Sequence, residues 1–185
     1  MKMQKIIKGK VRQVVSYASP VLRKKAKKLN KMSGVQQLVA DLIATCKAAH
    51  LVGIAAPQIA VSSQVIIVWQ KPTKTRPNLI DTGPKVFVNP RIIEHSVGTE
   101  FGYEGCGSLP GIMAKVNRYK AIRIEYIDYI SGKKELINLK GFEARIAQHE
   151  CEHLEGGIFL DNADLSTITT TEEWKKMMKK KKGKK

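Results

Sequence analysis

His149 and His153 stand four residues apart, with Glu150 beside the first of them. On a helix, positions i and i+4 project from one face, so both imidazoles can reach a single ion. A carboxylate at the Glu150 position can take a proton from metal-bound water, which makes His-Glu-x-x-His a pattern of hydrolytic metal sites. Such a site needs three protein ligands and one open position. The other histidines, His50 and His95, lie far upstream and receive no role. Glu155 and Asp161 remain open as a third ligand. Cys106 is the better candidate, a soft thiolate donor in Glu104-Gly105-Cys106-Gly107-Ser108-Leu109-Pro110, where two glycines and a proline shape an irregular backbone.

The elements that must position these groups follow an α+β pattern. The metal helix is expected over residues 141–154, with Phe142, Ile146 and Leu154 packing and Gly156-Gly157 ending it. A second helix is expected over 33–49, capped by Ser33, with the apolar stripe Val35, Leu38, Val39, Leu42, Ile43 and Cys46. Cys151 projects to the far side of its helix from the ion, so Cys46 and Cys151 both read as small buried hydrophobes. Strands are expected at 64–69 and 86–88, separated by a surface loop over 71–84. A hairpin follows, with strands at 121–128 and 135–139 and Gly132 at its turn. The fold class is therefore α+β: mostly antiparallel sheets packed around a central metal-binding helix, with a C-terminal basic helix or tail.

Charge is unevenly placed. The net +17 of the 185 residues divides into +11 for residues 1–40, −2 for 41–173 and +8 for 174–185. A nearly neutral body thus carries two positive ends, which favour a polyanionic partner such as nucleic acid at low salt. At the C-terminal end, Thr171 is expected to cap a short helix whose Trp174, Met177 and Met178 share a face. The expected organisation is a basic N-terminal extension over 1–13, a catalytic domain over 14–168 and a lysine-rich helix or tail over 169–185. Hydrophobic content of 43% suits one globular core, and no apolar run approaches the roughly 20 residues of a membrane span. An odd cysteine count and the lack of a signal-peptide pattern favour a reducing compartment. A bacterial-type cytoplasm is expected, with an organelle left open.

Three ordered motifs carry a resemblance. Gly53-Ile54-Ala55-Ala56-Pro57-Gln58, Glu104-Gly105-Cys106-Gly107-Ser108 and Gln148-His149-Glu150-Cys151-Glu152-His153-Leu154-Glu155-Gly156 are similar, in this order, to the motifs of the peptide deformylase family. The similarity extends to Ser19-Pro20-Val21-Leu22-Arg23, Phe87-Val88-Asn89-Pro90 and Gly157-Ile158-Phe159-Leu160-Asp161. It departs at Leu51, where the family usually has Gly, and at Gly107, where Leu is common. The resemblance implies a metal held by Cys106, His149 and His153, with Glu150 as the general acid and base. Gln58 and the Gly107 N–H would donate to the oxyanion, and Gly53, Ile54 and Ile146 would contact the substrate. It further implies Fe2+ as the ion, with Zn2+, Ni2+ or Co2+ able to substitute. The reaction implied is removal of the formyl group from N-formylmethionine of nascent polypeptides, releasing formate. Two other classes compete: a zinc-type peptidase, and an inactive RNA- or ribosome-associated protein on the same scaffold.

Overall fold

Two antiparallel sheets enclose the helix that carries His149 and His153. The structure is a computed structural model that describes residues 7–182. The first six residues of the basic N-terminal extension and the last three of the lysine-rich end lie outside the described residues. In chain order the elements are α1 (Val35–Ala48), β1 (Gly53–Ala55), β2 (Val65–Val68), β3 (Lys85–His95), β4 (Thr99–Cys106), β5 (Leu109–Tyr119), β6 (Ala121–Ile127), β7 (Lys134–Lys140), α2 (Gly141–Leu154), β8 (Ala163–Thr170) and α3 (Thr171–Lys182). One sheet has the order β1-β2-β3-β6-β7 and the other β4-β5-β8. The α+β expectation with a central metal helix is met, since α2 packs against strands of both sheets.

The run Val65-Ile66-Ile67-Val68 shows how the β1–β2 end of the larger sheet is buried on both faces. Ile66 and Val68 join Phe87, Ile124 and Leu139 against Ala144, Ile146 and Ala147 of α2. Val65 and Ile67 point the other way and pack with Val39, Leu42 and Cys46 of α1. A strand covered on both sides reads as continuous rather than alternating hydrophobicity. A smaller cluster, with Cys106, Ala114, Val116 and Phe159, fills the inner face of the second sheet.

Several local expectations are corrected. Ser33 does not cap α1: Gly34 occupies the N-cap in the left-handed region (φ 79°), with no side-chain cap. At α3 the hydroxyl that accepts the Glu173 N–H (3.2 Å) belongs to Thr170, not Thr171. Trp174 is buried where α3 packs on β5 and β8, with Met178 half-buried beside it and Met177 38% exposed at the edge of that face. Residues 104–110, expected to be irregular, instead close the β4–β5 hairpin through Gly107-Ser108. The irregularity survives in register, where the step from Glu104 to Cys106 on β4 is matched by the longer run from Ala114 back to Leu109 on β5.

The end of α2 is as expected. Gly156 adopts φ 85°, the Gly157 N–H donates to Glu152 O (2.9 Å) and the Gly156 N–H to His153 O (3.3 Å). These are the paired bonds of a Schellman cap. Any Cβ at Gly156 would also stand 3.1 Å from the backbone of Arg23 and Lys24.

Asn89 holds an irregular join between distant segments. It adopts φ 49°, and its side chain both accepts from the Leu29 N–H (2.9 Å) and donates to Leu29 O (2.8 Å). The amide thereby completes a backbone pairing that no neighbouring strand supplies. Replacing it removes two hydrogen bonds and leaves a Cβ-bearing residue in a left-handed conformation. We expect Asn89→Ala to destabilise the fold by about 1–3 kcal/mol in urea unfolding.

Candidate metal centre

Cys106 ends β4, and His149 and His153 lie one turn apart on α2, so the site is made where the smaller sheet meets the helix. The donor atoms of all three lie within 4.8 Å of one another. Cys106 Sγ is 3.3 Å from His153 Nε2. A tetrahedral ion with a sulfur at ~2.3 Å and a nitrogen at ~2.0 Å holds those donors roughly 3.5 Å apart, so the spacing fits coordination. All three residues are buried, His153 completely. Glu155 and Asp161 are not part of the cluster; each instead forms an exposed ion pair, with Lys25 and Arg23 respectively.

The two imidazoles sit in different electrostatic surroundings. His153 is pushed down to about 3, first by burial and then by the neighbouring His149, so it is a neutral donor. His149 is held well above its ordinary value: burial opposes this, but the Cys106 sulfur and the Glu104 and Glu150 carboxylates outweigh it. Its Nδ1 faces Glu104 Oε2 at 2.9 Å. That contact fixes the ring and leaves Nε2 for an ion.

Glu104 is the hub of a buried cluster. Its carboxylate accepts from Arg118 Nε (3.1 Å) and Nη2 (2.9 Å) and from Arg145 Nη1 (2.8 Å), besides His149. Burial alone would raise its pKa; the His149 and Arg118 hydrogen bonds and charges hold it at about 2. Arg118 also reaches Glu152 on α2 (2.8 Å). No local pattern marks Arg118 or Arg145 as partners of the site. The signal lies in register, since Arg118 pairs across the hairpin with Glu100, four residues before Glu104 on the same strand face.

Glu150 is 4% exposed, its Oε2 has no hydrogen-bond partner among the described residues, and burial raises its pKa to about 7. Gly53 lies against it: a Cβ there would stand 2.5 Å from both Glu150 Oε1 and Ile146 Cγ2. Gln58 is oriented through its oxygen, which accepts from the Ala55 N–H (2.8 Å). Its Nε2 is thereby turned toward Cys106 Sγ (3.4 Å) and Ser108 Oγ (3.3 Å).

A cleft of about 540 Å³ opens onto these groups, within the usual range of ligand sites. Gly53, Gln58, Cys106, Gly107, His149 and Glu150 line it, together with Ile146. Ile54 is not among them. Strand alternation turns its side chain to the opposite face of β1, where it packs fully buried with the α1 stripe. Val52 lines the cleft instead. His50, given no role from sequence, lies exposed at its edge. Cys46 and Cys151 pack away from the donor cluster, and burial pushes both thiols up to about 12.

Fold and site together define a buried Cys-His-His centre at the base of an open cleft. The family model for polypeptide deformylase matches residues 11–168. Peptide deformylase 2 of a Nostoc species is 40% identical over 162 residues, covering 86% of this chain and 90% of that protein. A peptide deformylase of Dictyoglomus thermophilum is 37% identical, over 88% and 99%. Among solved structures, the class I type b peptide deformylase of Acinetobacter baumannii, with Met-Ala-Ser bound, superposes with a TM-score of 0.78. Its sequence identity is 33%, covering 83% of this chain and all but 1% of that one. The chain belongs to the polypeptide deformylase family.

The Glu104 cluster sets a pH and stability test. With a folded pKa of about 2 against an ordinary 4.5, Glu104 contributes stability that is present above pH 4.5 and lost as pH falls toward 2. We expect Glu104→Gln to remove that acid dependence from urea unfolding midpoints. We also expect it to cost about 3–5 kcal/mol at neutral pH, because buried guanidinium groups lose their anion.

Proposed function

We propose that this chain is a peptide deformylase, removing the formyl group from N-formylmethionine of nascent polypeptides by metal-dependent hydrolysis. The observation that carries the reading is the convergence of Cys106, His149 and His153 on one point, with Glu150 beside it and Gln58 aimed at it. A zinc-type peptidase is less well supported, since the third donor is a cysteine from a separate hairpin. An inactive scaffold would not be expected to keep every donor and the unpartnered Glu150 in place.

One sulfur and two imidazole nitrogens fit a divalent transition metal, and Fe2+ is our preferred ion, with Zn2+, Ni2+ or Co2+ on the same ligands. When bound, such an ion supplies Lewis acidity, lowering the pKa of a water and polarising the formyl carbonyl. Glu150 accepts the proton of the attacking water and passes it to the departing amine, a task suited to a carboxyl raised to about 7. Gln58 Nε2 and the Gly107 N–H donate to the oxyanion that forms at the formyl oxygen. Gly53 and Ile146 shape the wall that receives the methionine side chain, and Gly53 keeps space for the Glu150 carboxylate. Formate and a peptide with a free N-terminal methionine leave.

We assign catalysis to residues 14–168 and an accessory role to the basic segments 1–13 and 169–185. The exposed lysines Lys175, Lys176 and Lys179 of α3 suit contact with ribosomal RNA near emerging nascent chains. A bacterial-type cytoplasm is the compartment we assign, with an organelle that synthesises formylated chains as the alternative. No helix among the described residues is long and apolar enough to cross a membrane.

We expect metal-loaded protein to release formate from a formyl-Met dipeptide and to leave unformylated internal peptide bonds intact. In that assay Glu150→Ala is expected to lower kcat by about 10²–10⁴-fold. Gln58→Ala is expected to lower it by about 10²–10³-fold. Charge reversal of Lys175, Lys176 and Lys179 is expected to reduce low-salt ribosome co-sedimentation and flatten its salt dependence. Unchanged co-sedimentation would remove the docking role and leave the catalytic one standing.

A further inference from the structure

Gly107 lines the cleft beside Cys106 and brings no side chain to hold its own backbone. The contacts that fix this turn fall on its neighbours. The Ser108 N–H donates to Cys106 Sγ (3.4 Å), Ser108 Oγ accepts from Gln58 Nε2 (3.3 Å), and Ser108 O accepts from the Tyr17 N–H (2.8 Å). Among the described residues the Gly107 N–H has no acceptor. A glycine so placed has more backbone freedom than any other residue would.

Leu51 covers it. A Cβ built on Gly107 would stand 3.0 Å from Leu51 Cδ1, 3.2 Å from Cδ2 and 3.7 Å from Cγ. The space that a side chain at 107 would enter is therefore already filled from the α1–β1 connection. Leu51 is itself well anchored. Its N–H donates to Cys46 O (2.9 Å), its carbonyl accepts from Cys46 Sγ (3.3 Å), and its side chain packs against the α1 core cluster. His50, just before it, turns through the left-handed region (φ 55°) and redirects the chain from the end of α1.

We propose that Leu51 is a positioning residue for the Gly107 turn. Its δ-methyl groups stand in for the side chain that Gly107 lacks, restrict the backbone between Cys106 and Ser108, and keep the Gly107 N–H in place for the oxyanion. Leu51 and Gly107 then form one exchange of volume between two loops rather than two separate departures from the family pattern. The buried Cys46 gains a purpose too, as the anchor of Leu51. This assignment rests on the deformylase reading of the cleft.

A double-mutant cycle on the full-length, metal-loaded protein tests it, using formate release from formyl-Met-Ala. A donor that acts on the oxyanion affects the transition state, so Leu51→Gly is expected to lower kcat about tenfold or more while KM moves less than about twofold. Gly107→Leu alone is expected to do the same, because its side chain meets Leu51. The double variant is expected to return to within about threefold of wild type, a strong departure from additivity. Leu51→Met, which keeps apolar cover, is expected to stay near wild type. Amide exchange read by mass spectrometry over residues 104–109 should speed up in Leu51→Gly and slow again in the double variant.

A double variant as slow as the product of the two singles overturns the proposal, as does a Leu51→Gly defect confined to KM. If Leu51→Gly does not fold, Leu51→Ala takes its place in the cycle. A wild type that releases no formate defeats the deformylase reading instead, and the amide-exchange cycle still decides whether Leu51 restrains the turn.

Discussion

The buried carboxylate of Glu104 joins the two halves of the site. It lies two residues before Cys106 on β4, yet its partners include His149 on α2, Arg118 on β5 and Arg145 on α2. One anion shared among three cationic or polar partners holds the smaller sheet against the helix at the point where the sulfur must meet the imidazoles. A buried charge of this kind is tolerable only when its hydrogen-bonding capacity is filled, and here both oxygens are used. The cluster fixes the His149 ring, and the ring's free nitrogen then defines where an ion can sit. Glu152, reached by Arg118, extends the tie along the helix.

Around that joint, the rest of the fold works as support on two sides. The larger sheet carries α1 on one face and α2 on the other, with the side chains of Val65 to Val68 dividing between them. Gly53 and Ile146 bring the edge of that sheet close enough to α2 that Glu150 Oε2 is enclosed without a partner among the described residues. An ionisable carboxyl kept dry and unpaired is unfavourable for folding, and it is the state a proton-transferring group needs. The site thus concentrates its electrostatic cost at Glu150 and balances it at Glu104.

Much of this is legible in the amino-acid sequence. His149, Glu150 and His153 declare themselves by helical spacing, and the α2 boundaries follow from Gly156-Gly157 and the apolar face. Cys106 was readable as a donor by chemistry, but the backbone around it was not. Its strand is rich in glycine and lacks an apolar alternation, because β4 is stabilised by pairing with β5 and by Glu104 rather than by a hydrophobic face. The strands expected from sequence all fall in the larger sheet, and β4, β5 and β8 carry no comparable signal. Ile54 was placed in the cleft by its motif, and strand alternation moves it to the core. Leu51 and Gly107 stood out separately in sequence; only their contact shows them as one feature. The caps at Gly34 and Thr170 shifted by one residue, within the reach of local chemistry but decided by backbone geometry.

One sulfur and two imidazole nitrogens converge on one point, where a single ion would bind all three. X-ray absorption at the metal edge of protein loaded with a single equivalent of Fe2+ or Zn2+ reads that donor set directly. The convergence of Cys106, His149 and His153 predicts one sulfur scatterer at ~2.3 Å and two imidazole nitrogens at ~2.0–2.1 Å, with a light atom in the remaining position. A first coordination sphere of nitrogen and oxygen alone, with no sulfur, would contradict it.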